Sequence, residues 1–118
     1  MKKILLVLAV ALISLTSFGQ LNDNAKTIKK ALPTAYDDVK TMSVLKWGDD
    51  HSMVVYRINA QCDAMMKVGS IVNSDSYDET LYNSAAAKWS ENINGKFYFD
   101  WAMIVYNYNN QLEAKSQY

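Results

Sequence analysis

The sequence predicts an all-α fold, a small up-down four-helix bundle over residues 20–118, once a leader at residues 1–19 is removed. Two observations predict it. Apolar residues recur in alternating steps of three and four along most of the chain, which lines one side of a helix and not one side of a strand. The runs are separated by short polar turns, with no low-complexity tract, linker or internal repeat, so a single helical domain with antiparallel neighbours is expected. The competing class is α+β, with a hairpin around residues 42–59 and a strand at 96–108.

The first element is the leader. Lys2 and Lys3 precede an unbroken apolar run from Ile4 to Ile13, and the small residues Ser17 and Gly19 flank Phe18 ahead of Gln20. A charged start, a short apolar core and small residues at the cut are what an export signal requires. The core is well short of the ~20 apolar residues that span a bilayer, so a cleaved signal is expected and a permanent anchor is not. The only cysteine is Cys62, so no lipid attachment at the cut is expected. Cleavage removes Lys2 and Lys3 and leaves 10 basic against 12 acidic side chains, a net charge of −2. That balance offers no attraction to phosphate backbones or anionic lipid. The expected destination is the periplasm or the outside medium, with neither nucleic acid nor membrane as partner after cleavage. A lone cysteine in an oxidising compartment is either a buried thiol or a link to another chain.

In the mature chain the first stripe is Leu21, Ala25, Ile28, Leu32, Ala35, Val39 and Met42. Pro33 inside it kinks one long helix or opens a second after a break at Leu32. Trp47-Gly48-Asp49-Asp50 reads as a helix stop and a new start, through a left-handed glycine cap and an aspartate that accepts from free amides. The next stripe is His51, Val55, Ile58, Cys62, Met65, Gly69 and Val72, with Arg57, Asn59, Gln61, Asp63 and Lys67 off it. Met53-Val54-Val55-Tyr56 is rich in strand formers, but it does not alternate. After the turn cluster Asn73-Ser74-Asp75-Ser76, a third helix is expected from Ser76 or Asp78 to about Asn92, with Leu81, Tyr82, Ala85, Trp89 and Ile93 inward.

Asn94-Gly95 is the sharpest turn signal in the chain. Beyond it the residues fit a helix with Phe97, Trp101, Ile104, Tyr108 and Leu112 on one stripe. They also fit a strand alternating Phe97, Phe99, Trp101, Met103 and Val105, for which Asn-Gly is a favoured hairpin turn. The helix is the expectation, because it continues into Gln111–Lys115, whereas the strand would be unusually long.

No motif for catalysis or a cofactor emerges. His51 and Cys62, the only His and Cys, stand 11 residues apart, roughly 16 Å along a shared helix, so they form no nucleophile pair. One His and the glutamates Glu79, Glu91 and Glu113 cannot supply the Glu-x-x-His pairs of a di-iron bundle. Residues 73–79 lack the glycine and closing glutamate of a calcium loop. Cys62-x-x-Met65-Met66 offers soft ligands for copper(I), and His51 with Met42, Met65, Met66 or Met103 offers a haem pair, yet apolar-stripe methionines are more simply core filler. No cofactor or metal, and no enzymatic activity, is expected.

One segment stands out. Phe97, Tyr98, Trp101, Val105, Tyr106 and Tyr108 would cover nearly the whole circumference of the last helix. A helix apolar all round needs cover on more than one side, which about 100 residues supply with difficulty. Those six residues are therefore the expected interaction surface of an exported, non-enzymatic protein that binds a partner or itself. The plainer reading leaves Tyr98, Tyr106 and Tyr108 half-buried with their hydroxyls in water. The alternative function is a small-ligand, metal or haem carrier with its site in the bundle core.

Overall fold

The computed structural model describes residues 19–118, so the expected leader lies, apart from its last residue, outside the described part. The elements in order are α1 (Asp23–Ala31), α2 (Pro33–Trp47), α3 (His51–Val72), α4 (Glu79–Lys88), β1 (Ser90–Ile93), β2 (Lys96–Phe99) and α5 (Trp101–Ser116). The chain is mostly helical, as the periodicity predicts, with a small two-stranded sheet besides. The described part divides into two compact units, one ending at Asn59 and the other running from Ala60 to Tyr118, and the boundary falls within α3.

In the first unit α1 packs against α2. Asn22 opens α1 by accepting from the Ala25 amide at 2.8 Å, which satisfies one of the donors every helix start leaves free. Leu32, at φ −131° and ψ 65°, breaks the helical path, and Pro33 then opens α2, where a missing N–H costs nothing. Of the two readings of Pro33, the new helix is the one the chain adopts. Gly48 closes α2 at φ 54°, a conformation that suits glycine, and the Asp50 side chain accepts from Met53 N at the start of α3. Ala25, Ile28, Tyr36, Val39, Met42, Val54 and Ile58 are the buried apolar residues of this unit. The buried Ser43 hydroxyl donates to the Val39 carbonyl at 2.7 Å and accepts from Arg57 Nη1 at 3.2 Å, so a polar core position is fully used.

The second unit is built on aromatic rings. Ala85, Ile104 and Tyr108 are buried together, with Ile71, Tyr77, Leu81, Tyr82, Ala86, Trp89, Trp101 and Leu112 packed around them. Tyr77, Tyr82 and Tyr108 form a closed triad with ring centroids 6.0–6.4 Å apart. Asp78 caps α4 by accepting from Leu81 N at 3.0 Å, while its own amide donates to the Tyr108 hydroxyl at 3.0 Å. Its carboxylate also receives Lys115 Nζ at 2.8 Å, which ties the loop before α4 to the end of α5.

The structure corrects several expectations. Residues 42–59 form no hairpin, since α2 and α3 run through them with only the Gly48 turn between. The third helix ends at Lys88, short of Asn92, and the hairpin beyond it takes Lys96–Phe99 out of the last helix. Neither a helix starting at Phe97 nor a strand reaching 108 describes the segment, because Asp100 caps α5 by accepting from Met103 N. Gln61, expected off the apolar stripe, is buried, whereas Leu32 on the first stripe is exposed.

Candidate interaction surface

The hairpin turns on Asn94 at φ 54° and Gly95 at φ 85°, the pair of positive values that matches the twist of antiparallel strands. Ser90 faces Phe99, Glu91 faces Tyr98, Asn92 faces Phe97 and Ile93 faces Lys96. Side chains alternate across a strand, so Phe97 and Phe99 share one face with Ser90 and Asn92, while Tyr98 and Lys96 occupy the other with Glu91 and Ile93. Phe97 is 58% exposed and Phe99 39%. The Trp101 ring lies 5.4 Å from that of Phe99, so three aromatic side chains lie in sequence from β2 into the first turn of α5. On the opposite face Lys96 Nζ stands 5.3 Å from the Tyr98 ring centre, a cation–π distance.

The six residues expected to form one surface do not stay together. Phe97 shares a strand face with Phe99, and the Phe99 ring contacts that of Trp101. Tyr98 turns to the other face of the hairpin. Tyr106 is 63% exposed, but it lies two residues from both Ile104 and Tyr108, about 200° around the helix from each. Val105 and Tyr108 are buried and leave the expected surface. Tyr108 is held inside by its ring partners and by the Asp78 amide, so it belongs to the core of its unit.

What positions the patch is a residue that no sequence pattern singles out. Gln61, only 3% exposed, accepts from the Trp101 amide at 2.6 Å and donates to Asp100 Oδ1 at 2.9 Å. Asp100 N in turn donates to the Trp89 carbonyl, continuing the hairpin ladder to the start of α5. The base of the hairpin and the helix start are thus pinned by one amide side chain. Burial and secondarily Glu79 and Tyr108 push the Tyr77 hydroxyl up, and burial and Tyr77 do the same at Tyr82, so both rings stay neutral at physiological pH.

Elsewhere, the end of α2 exposes Val44, Leu45 and Trp47, apolar residues that periodicity does not pick out, and Leu32 is exposed at the break before the helix. An open depression of about 390 Å³ lies on α2 beside Asp37, Lys40, Thr41, Val44 and Leu45. His51 is exposed at the first position of α3, whereas Cys62 is fully buried on the same helix, and burial and secondarily Asp63 push its thiol up to about 11. Such a thiol is not a thiolate at neutral pH and is a poor nucleophile or soft ligand. Among the described residues no three His, Cys, Asp or Glu side chains gather as a metal site would require, and no helix is long and apolar enough to cross a membrane. No family model, no curated protein and no solved structure matches the chain.

Proposed function

We propose that this is an exported, non-enzymatic interaction protein, acting in the periplasm or outside the cell, that associates with a second copy of itself through the aromatic end of the hairpin. The observation that carries the reading is the pair Phe97 and Phe99, on one strand face and both exposed, with Trp101 against Phe99. Exposed aromatic side chains grouped on a rigid element mark contact surfaces more often than solitary ones do. The mature net charge of −2 leaves little electrostatic barrier between copies. An acid–base or nucleophilic reaction would need activated groups in reach of one another, and the buried Cys62 and exposed His51 do not supply them.

Light scattering across a concentration series tests this. The purified protein should form a discrete oligomer, and the double variant Phe97→Ser with Phe99→Ser should be monomeric with an unchanged circular dichroism spectrum. A monomer at every concentration, or an oligomer the double variant leaves intact, defeats the proposal.

A further inference from the structure

Resting on the self-association proposed for the hairpin, we infer that the two copies join edge to edge, β2 against β2. A two-fold axis through Tyr98 would then give a continuous four-stranded antiparallel sheet.

The hairpin's own hydrogen-bond pattern leads there. In a two-residue hairpin the pair flanking the turn exchanges hydrogen bonds, and the pairs then alternate. Ile93 with Lys96, Glu91 with Tyr98 and Trp89 with Asp100 are therefore the bonded pairs, and the Asp100 N to Trp89 O bond at 2.9 Å fits that phase. The backbone N–H and C=O groups of Phe97 and Phe99 consequently point away from β1, at the outer edge. Among the described residues the sheet has two strands, so no third strand takes those groups.

A second β2 satisfies them in one register. Centred on Tyr98, the pairing sets Phe97 opposite Phe99 of the other copy and Phe99 opposite its Phe97, and all the outward groups are used. Centring on Phe97 would set Phe99 opposite Gly95, whose amide already donates to Asn92 Oδ1. Centring on Phe99 would set Phe97 opposite Trp101, which is already helical.

Charge agrees with the Tyr98 register. Lysine on an edge strand ordinarily discourages pairing. Here the two-fold sets Lys96 opposite Asp100 of the other copy, twice, on the same face as the paired Tyr98 rings. Asp100 is held by Gln61 and by its capping bond to Met103 N, so its charge sits at a defined place. Opposite charges directly across an antiparallel pair are favourable, as are paired aromatic rings, and four phenyl rings would gather on the other face.

Disulfide trapping tests the register. In a Cys62→Ala background, Tyr98→Cys should give a covalent dimer on mild oxidation, since each new thiol faces its own copy across the axis. Glu91→Cys, on the inner strand, should not. A wild-type dimer that the double serine variant dissociates, but in which Tyr98→Cys links no better than Glu91→Cys, overturns the edge pairing and leaves the hairpin reading standing. A monomeric wild type overturns both. Should Tyr98→Cys fail to fold, Lys96→Glu decides. With like charges set opposite each other twice, its dimer dissociation constant should rise about tenfold at low salt, and an unchanged constant overturns the register.

Discussion

Within each unit an amide side chain of α3 ties down a helix start, and the two amides differ in burial more than in chemistry. Asn59 accepts from the Asn22 amide and donates to the Gln20 carbonyl, both at 2.9 Å, so it fastens the residue that caps α1. Gln61 accepts from the Trp101 amide and donates to Asp100, the residue that caps α5. Each clamp holds a helix start by a donor and an acceptor from one side chain. Asn59 does so half-exposed, at the rim of a unit whose buried residues are mainly aliphatic. Gln61 does so from the interior, within a unit packed with tyrosine and tryptophan. Water can replace the first clamp when it is lost and cannot readily replace the second, so equal numbers of hydrogen bonds do not imply equal stability.

The largest effect expected lies in the aromatic unit itself. Tyr108→Ala empties a buried ring site and frees the Asp78 amide, at a cost of about 3–5 kcal/mol. Tyr106→Ala, two residues along the same helix but exposed, should stay within about 0.5 kcal/mol of wild type. Denaturant titration of both variants measures this, and similar losses would mean the division between inner and outer faces of α5 is misplaced.

Next in size is the direct comparison of the clamps. Gln61→Ala should cost about 2–3 kcal/mol, because it leaves buried partners unsatisfied, and Asn59→Ala about 1 kcal/mol. For a chain of this length each kcal/mol corresponds to about 4–8 °C in melting temperature, so calorimetry resolves the two. Equal costs would refute burial as the deciding factor.

The smallest effect concerns the Asp78–Lys115 contact. Its hydrogen bond with Lys115, followed by the Leu81 amide, holds the Asp78 carboxyl below the usual carboxylate range, and the same pair raises Lys115 above its ordinary value. A carboxyl depressed in the folded state contributes stability above its unfolded pKa and loses it as pH falls through the folded value. The raised Lys115 contributes at neutral pH and loses its contribution only as strong alkali deprotonates it. Acid should therefore loosen this contact. Asp78→Asn keeps a capping side chain but cannot titrate, so its melting temperature should fall less between pH 6 and about pH 2–3 than that of wild type. A parallel decline in the two proteins would show that the contact contributes nothing, as exposed ion pairs often do.

Much of the helical framework is legible in the sequence because its causes are local. Pro33, the Gly48 turn with Asp50, and Asp78 at the head of α4 are caps and breakers whose effect depends on the next three or four residues. The segment after Gly95 misleads because Phe97 and Trp101 are four apart, so Phe97 satisfies the helical stripe and the strand alike. Two local signals separate them. Asn94-Gly95 prefers positive φ at both positions, and Asp100 is a capping residue just ahead of the run that becomes α5.

The aromatic surface is legible as a quantity of apolar side chains and illegible as an arrangement. The hairpin moves Phe97 from a helix stripe to a strand face, where a one-residue change of register would turn Phe97 and Phe99 to the other side. Gln61 illustrates the same limit, since nothing near it in sequence shows that the capping residue of a helix 39 positions away will meet its amide.

The order of residues by itself determined that this chain is mainly helical, where most of its helices break, and that one stretch near its end is too rich in aromatic rings for water alone. Tertiary structure decided that Tyr108 is core, that Phe97 and Phe99 are not, and that Gln61 is an anchor. The reason is physical: helix propensity, caps and turns act over a few residues, whereas burial depends on what the folded chain brings from far along the sequence to cover each side chain.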